Sequence, residues 1–184
     1  MARYVGPFRR QLTPTDKYGR FNCSAYCLAL AMTNVTAGGM SITGEIVRAE
    51  STEPIPDPGS PGLNIAQLDK VAAKYRVHLF DKTGDSAASL TRYARTRDVL
   101  VQVDYKSLGV WRAQKNGDFG HMLTLCGVKG AGSTLAYWTY DPLAQIYRWI
   151  PADVILHAAL VFARATQQVQ GLRFAVTNPI PIVR

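Results

Sequence analysis

The sequence NCSAYCLALAM, residues 22–32, places a cysteine directly after a residue that can cap a helix. Small and apolar residues follow, which predicts a buried helix from Cys23 to about Asn34, packed closely on a neighbouring sheet. At a helix N-terminus the unpaired backbone N–H groups and the helix dipole stabilise a thiolate. The stretch therefore favours Cys23 as a nucleophile over the alternative, a cysteine packed in the core as a small hydrophobic residue.

The other cysteines and the histidines argue against a disulfide framework or a metal site. Cys27 lies one helical turn beyond Cys23 among apolar residues, and Cys126 lies within a predicted strand, so both are predicted to be core thiols. Three cysteines are an odd number with no regular spacing, which is untypical of a disulfide-stapled domain. Neither His78 nor His157 lies near the cysteines in sequence. We expect no metal and no cofactor.

A predicted hairpin brings a histidine and an aspartate together. Residues 121–128 and 134–140 read as strands that flank a glycine-containing turn. In a hairpin the end of the second strand lies beside the start of the first, so Asp141 should lie close to His121. His121 would then act as a base and Asp141 would orient it. The alternatives are a strand-end histidine bonded to a carbonyl and an Asp-Pro turn initiator.

Helical and strand patterns along the chain predict an α+β fold, with N-terminal helices packed on an antiparallel β-sheet. Besides the first helix, the predicted helices are 41–50, 64–76 and 86–95, with a short helical turn at Pro151. The remaining predicted strands are 77–80, 99–103, 145–150 and 158–163. We expect one domain over 1–164, with an irregular lead-in over 1–21, and read 165–184 as an extension, an arm or an extra strand.

Composition indicates an ordinary globular protein with a basic surface. The chain has 184 residues, 47% of them hydrophobic, and a formal net charge of +8. No nucleic-acid-binding motif accompanies the charge, so nucleic acid is an unlikely partner. No apolar run is long enough to span a membrane. The first 11 residues contain arginines but no apolar segment after them, which predicts a protein without a signal peptide that is made in the cytoplasm.

These motifs, in this order, resemble the papain-like cysteine peptidases of the bacteriocin-processing (double-glycine-leader) type. The resemblance covers residues 22–163, most of the chain. The matching segments are the Asn22-Cys23 opening with Leu28-Ala29-Leu30, the helix and strand at 62–68 and 75–77, the Gly-His strand at 120–128, and the Asp-Pro motif at 139–142.

The resemblance implies a papain-like α+β fold with Cys23 as nucleophile, His121 as base and Asp141 as orienting group. It also implies cleavage of peptide bonds through a thioester, without metal or cofactor. Such domains occur in peptide-exporting transporters, secreted bacterial proteins, and phage lysins or virion components. The small size and basic charge fit a phage protein best, which would be incorporated in the particle or released at lysis, with a peptide or a peptidoglycan cross-bridge as substrate.

The chain departs from that family in two places near the cysteine. Ser24-Ala25 replaces the usual Gly-Pro, and the family's glutamine about six residues before the cysteine is absent, since Asp16 and Lys17 stand there. The oxyanion hole would use the Cys23 backbone N–H and one side-chain donor, for which Gln11, Asn22 and Tyr18 are candidates. The alternative function is therefore a weakly active or inactive papain-like module of a phage tail or capsid, bound to other virion proteins through its C-terminal tail.

Overall fold

The structure, a computed structural model, describes most of the chain outside the N-terminal lead-in and the proline-rich stretch after Ser51. The described residues are 2–3, 5–7, 22–51, 62–84, 86–113, 119–144, 147–166, 172–180 and 182–183. The oxyanion candidates Gln11 and Tyr18 lie outside them, as does most of the predicted lead-in.

The described residues contain five α-helices, and the first four lie where the sequence predicts them. Their bounds are α1 Cys23–Val35, α2 Gly44–Glu50, α3 Ile65–Lys74, α4 Ala87–Ala94 and α5 Ala152–Ala165. Helix α3 begins at a capping box, in which the Asn64 side chain accepts from the Gln67 N–H and the Gln67 side chain accepts from the Asn64 N–H. Local signals of this kind fix where α3 begins.

In the part of the chain that the structure describes, six strands form one fully antiparallel sheet, and two short strands pair separately. The bounds are β1 Ala2–Arg3, β2 Phe80–Gly84, β3 Val99–Asp104, β4 Gly120–Lys129, β5 Ala136–Tyr140, β6 Arg148–Pro151, β7 Leu172–Val176 and β8 Ile182–Val183. The order in the large sheet is β2-β7-β3-β4-β5-β6, and β1 pairs with β8. The predicted α+β class, with N-terminal helices on an antiparallel sheet, is confirmed.

Helices cover both faces of the large sheet, which gives two hydrophobic cores. Helix α1 is buried from Cys23 to Asn34 and packs on one face of the sheet, with α2 and α3 against its outer side. Helices α4 and α5 pack on the other face. No helix in the described part of the chain is long and apolar enough to cross a membrane.

Two of the strands predicted from sequence are wrong. Residues 158–163 belong to α5, because its buried positions Ile155, Ala158, Ala159 and Ala163 recur at helical spacing and the alanines allow close packing. Residues 77–79 are irregular, and β2 begins only at Phe80. At 158–163 a short apolar run fits either a strand or a buried helix, and burial alone does not separate the two.

The C-terminal segment contributes a strand inside the sheet. Of the three alternatives for residues 165–184, the extra strand describes 172–176, since β7 lies between β2 and β3 and pairs with both. An arm is the wrong description of these residues. The side chains of Leu172, Phe174 and Val176 are buried in the core on the α5 side.

Candidate active site

The N-terminus of α1 places Cys23 at the end of the sheet. Cys23 is the first residue of the helix, and its side chain is 8% exposed. Asn22 occupies the capping position, but its side chain makes no capping hydrogen bond. Instead, the backbone N–H groups of Ser24 and Met122 hydrogen-bond the Cys23 sulfur. The predicted helix N-terminus is thus confirmed, while the expected capping by the Asn22 side chain is wrong.

His121 is the second residue of strand β4. His121 lies directly after Gly120, opposite Val103 of the neighbouring strand β3. Gly120 has no side chain, and a Cβ there would collide with the Phe162 ring of α5. The alternation of a strand would put His121 on the same side as Leu123, which packs in the core on the α5 side. His121 lies at the end of its strand, however, and its ring contacts Cys23 of α1.

A β-bulge aligns Asp141 with His121. In the β4–β5 pair, Gly127 lies opposite Trp138 but Leu125 lies opposite Thr139, so Cys126 is an extra residue in β4. Without this bulge, the register counted from the turn would place Asp141 opposite Thr124. With it, the register continues to Leu123, which shares the alternation phase of His121. The bulge therefore brings Asp141 one residue nearer to His121 and onto its side of the sheet.

Asp141 is a buried carboxylate with both oxygens hydrogen-bonded. Its Oδ1 lies 2.8 Å from Nε2 of His121 and accepts the Leu143 backbone N–H at 2.9 Å. Its Oδ2 accepts the Tyr105 hydroxyl at 3.2 Å. His121 and Asp141 are only 3% and 4% exposed, so their interaction is shielded from water. Since Asp141 occupies Nε2, the Nδ1 atom of the ring is left for Cys23.

Charge interactions across the site favour a thiolate and an imidazolium. Burial by itself would raise the pKa of the Cys23 thiol, but the charge of His121 and its hydrogen bond outweigh this and hold that pKa below its ordinary value. Burial would lower the pKa of His121, yet Asp141 and Cys23 raise it to about 10. Burial likewise opposes ionisation of Asp141, and His121 holds the Asp141 pKa below its ordinary value. All three shifts act in the same direction, since each favours the charged form of its group.

The other two cysteines lack this environment. Cys27 is fully buried one turn beyond Cys23, and its thiol donates to the Met122 carbonyl at 3.2 Å. Burial raises the pKa of Cys27 well above its ordinary value. Cys126 is buried in the bulge of β4. All three cysteines have free thiols, which fits the prediction that Cys27 and Cys126 are core residues.

Two aromatic residues at the site were not predicted from the sequence. The Tyr105 ring lies edge-on to the His121 ring at 4.8 Å and stacks on the Phe119 ring at 5.1 Å. The Phe119 ring is 6.1 Å from that of His121 and remains 39% exposed. A signal existed for Tyr105, since it lies two residues beyond Val103 in the same alternation phase. Its value depends on knowing that β3 pairs with β4, which the sequence does not state.

Of the side chains predicted as candidates for the oxyanion hole, the structure describes only Asn22. Asn22 is fully buried directly before Cys23. Gln11 lies outside the described residues, so Asn22 and Gln11 both stay predictions for that role. Within the described ranges, no group of three or more histidine, cysteine, aspartate or glutamate side chains is arranged to hold a metal ion.

Comparison of the chain with known sequences gives no match to a family model and none to a curated protein. Comparison of the fold does give matches. A structure described as a C39-like peptidase from Bacillus anthracis is similar with a TM-score of 0.61 and 16% identity, covering 95% of this chain and 96% of that one. The chain thus has a structural likeness without a measurable sequence relationship.

Two further similar structures are peptidase domains of transporters. A double-glycine-motif protease from an AMS/PCAT transporter, in complex with its leader peptide, matches with a TM-score of 0.60 and 16% identity over 96% of this chain and 93% of that one. The peptidase domain of Streptococcus ComA, a bifunctional ABC transporter, matches with a TM-score of 0.57 and 13% identity over 97% and 99%. This chain has the papain-like α+β fold of the C39-like peptidases.

Proposed function

We propose that this protein is a cysteine peptidase, which hydrolyses a peptide bond through a thioester formed on Cys23. The observation that carries the proposal is the continuous hydrogen-bonded series from the Cys23 sulfur through His121 to the Asp141 carboxylate. A thiolate that is paired with an imidazolium is a nucleophile at neutral pH. The likeness of the fold to peptidase domains supports the same class of reaction.

The ion pair provides both the nucleophile and the acid for the first half of the reaction. The Cys23 thiolate attacks the carbonyl carbon of the scissile bond, and the carbonyl oxygen takes the negative charge. His121 then gives its proton to the leaving amine as the C–N bond breaks, which leaves a thioester on Cys23 and a neutral imidazole. Asp141 holds Nε2 throughout, so that Nδ1 faces the reacting atoms.

Hydrolysis of the thioester restores the starting state. Neutral His121 takes a proton from a water molecule, whose oxygen attacks the thioester carbonyl. The C–S bond breaks, the carboxylic acid leaves, and the sulfur departs as the thiolate that pairs with His121 again. During both halves the oxyanion would be stabilised by the Cys23 backbone N–H and by a side-chain donor, for which Asn22 and Gln11 are the candidates.

The substrate that we propose is an unfolded or extended peptide segment. One structural neighbour is a protease in complex with a leader peptide, which supports peptide as the substrate class here. A peptidoglycan cross-bridge contains the same kind of bond and is the second substrate to test. The assignments to a phage particle and to the cytoplasm before lysis stay predictions from the sequence.

The decisive experiment is alkylation of Cys23 by iodoacetamide across pH, in the unmodified protein and in His121→Ala. Mass spectrometry of peptides that contain each cysteine separates Cys23 from Cys27 and Cys126, which serve as controls within the same molecule. We expect Cys23 to react well below pH 8 and to lose that reactivity in His121→Ala. An apparent pKa near 8.5 that the variant leaves unchanged would refute the proposal.

A cleavage assay then tests the reaction itself. The protein is incubated with a mixture of unstructured peptides and, separately, with purified peptidoglycan, and the products are analysed by mass spectrometry with Cys23→Ala as control. Products that depend on Cys23 would identify the substrate class. A reactive Cys23 without products from either substrate would favour the alternative function, a papain-like module that binds without cleaving.

A further inference from the structure

The hydroxyl of Tyr105 joins the proposed active site to the segment that follows β3. Tyr105 is fully buried, and its hydroxyl donates to Asp141 Oδ2 at 3.2 Å. The same oxygen accepts the backbone N–H of Ala113 at 2.7 Å. One side chain thus contacts both the carboxylate that holds His121 and the far end of a turn that leaves the sheet at residue 105.

Chemistry fixes the direction of both hydrogen bonds. The Ala113 N–H can only donate, and an ionised carboxylate can only accept. The single proton of the Tyr105 hydroxyl therefore points at Asp141. The bond is made to a charged acceptor in a buried place, which strengthens it, and its 3.2 Å length is at the long end for a hydroxyl donor.

The Tyr105 hydroxyl holds the second oxygen of Asp141, whereas the first is held by His121 and by the Leu143 N–H. Oδ1 is directed at His121 Nε2, and rotation of the carboxylate about its Cβ–Cγ bond would break that contact. The Tyr105 hydroxyl on Oδ2 opposes such a rotation. In addition, the Tyr105 ring lies edge-on to the imidazole at an interplanar angle of 67°, so it limits the tilt of the His121 ring as well.

We infer that Tyr105 is a positioning residue of the Cys23–His121–Asp141 site, whose hydroxyl fixes the orientation of the Asp141 carboxylate and thereby of the His121 ring. The inference rests on the proposed peptidase function, for which His121 must face Cys23. Tyr105 would act on the reaction through its contacts with Asp141 and His121.

The test compares Tyr105→Phe with Tyr137→Phe, which is a matched control. Tyr137 is also fully buried, and its hydroxyl bonds the Ala87 carbonyl and the Thr91 hydroxyl, both at 2.9 Å, beside α4. Each variant keeps the ring and removes one buried hydroxyl. We expect Tyr105→Phe to lower the rate constant for Cys23 alkylation at pH 7 about tenfold, and Tyr137→Phe to leave it unchanged.

A second measurement separates positioning from simple support of the turn. The pKa of Asp141 is followed by ¹³C NMR in aspartate-labelled protein, with the resonance assigned by its absence in Asp141→Asn. Because the lost hydrogen bond stabilises the ionised carboxylate, Tyr105→Phe should raise the Asp141 pKa by about one unit. A residue that only held the turn in place would leave this pKa unchanged, as Tyr137→Phe should.

The outcomes separate this inference from the proposed function. An Asp141 pKa that does not change in Tyr105→Phe overturns the inference, whatever happens to alkylation. An unreactive Cys23 in the unmodified protein overturns the peptidase proposal, while the Asp141 titration still tests Tyr105. If Tyr105→Phe does not fold, the unmodified protein with ¹³Cζ-labelled tyrosine decides, because the Tyr105 resonance should shift with the Asp141 titration. No shift there would overturn the inference.

Discussion

The two ends of helix α1 each bury a carboxylate, but they surround it with different chemistry. At the N-terminal end, Asp141 bonds His121, which in turn pairs with Cys23. At the C-terminal end, Asp98 is fully buried and its Oδ2 accepts the Asn34 side-chain amide at 2.7 Å. Both carboxylates are thus removed from water and held by a donor of defined geometry.

The difference lies in whether the donor can change its charge. Asn34 is an amide that does not titrate, and its own Oδ1 is tied to the Gly6 N–H. The Asn34 side chain therefore connects α1 with Asp98, directly before β3, and with Gly6 of the N-terminal segment. His121 can gain and lose a proton, so in the proposed function the same kind of buried carboxylate supports a reactive thiol at the other end. A buried acid indicates a reactive site only when its partner is ionisable.

The largest expected effect follows from Asp141→Asn, which removes the carboxylate charge at the N-terminal end of α1. We call this end, with Cys23, His121 and Asp141, the reactive end, and the C-terminal end, with Asn34 and Asp98, the inert end. Without the carboxylate charge, burial dominates and the pKa of His121 should fall by several units from about 10. The imidazolium then no longer stabilises the thiolate, and we expect Cys23 alkylation at pH 7 to slow by about 10²–10³-fold. NMR of the histidine ring and the alkylation rate measure the two effects.

Asp98→Asn is the control for that experiment. It makes the same chemical change in a carboxylate of similar burial, but at the end of α1 where Asn34 is the partner. Neither the His121 pKa nor the Cys23 rate should change. A His121 pKa that stayed near 10 in Asp141→Asn would show that Asp141 is not the group that raises it.

Local signals in the sequence were sufficient to predict the main residues at the N-terminal end of α1. The cysteine after Asn22 marks the start of α1, and the order of His121 and Asp141 around a turn predicts their proximity. These inferences need only neighbours in sequence, or two strands joined by a short turn. The series Cys23, His121 and Asp141 was therefore predictable before any pairing of distant strands was known.

What the sequence could not predict depends on pairing across the sheet. The bulge at Cys126 decides whether Asp141 faces His121 or the other side, and nothing in residues 121–141 specifies it. Tyr105 reaches Asp141 because β3 lies beside β4, and β7 lies between β2 and β3, two strands from which it is distant in sequence. Such contacts result from the packing of the whole domain.

The second prediction concerns stability at the inert end. Asp98→Ala leaves the Asn34 amide without its acceptor inside the protein, and a buried donor without a partner costs about 1–3 kcal/mol. We expect the free energy of unfolding in urea to fall by that amount, with Cys23 alkylation at pH 7 unchanged. The double variant with Asn34→Ala should lose less than the sum of the two single losses. Full additivity would contradict direct coupling of the two side chains.

The third prediction uses pH to separate the two ends. The pKa of His121 is raised on folding, so its contribution to stability is complete below about 6.5 and is lost as the pH rises towards 10. The contribution of Cys23 to stability depends on pH in the opposite sense, because the pKa of its thiol is lowered. The measurement is therefore made in a Cys23→Ala background. Within that background, the stability difference between His121 and His121→Gln should shrink by about 1–2 kcal/mol between pH 7 and pH 9.

Thermal unfolding across that pH range measures the difference, and Asp98→Ala in the same background serves as reference. The Asn34 amide does not titrate, so the loss caused by Asp98→Ala should stay the same from pH 7 to pH 9. A His121 contribution that did not decline as the pH rises would contradict the raised pKa of His121 and with it the charge interaction with Asp141.

The smallest effect is expected for the thiol one turn along the same helix. Cys27→Ala removes a buried sulfur and its bond to the Met122 carbonyl, which should cost about 1 kcal/mol of folding free energy. The Met122 N–H still reaches the Cys23 sulfur, so the alkylation rate of Cys23 should stay within twofold of the unmodified protein. A much larger loss would mean that Cys27 supports the thiolate, and then the reactive end of α1 would extend a full turn further into the core than the contacts of His121 alone require.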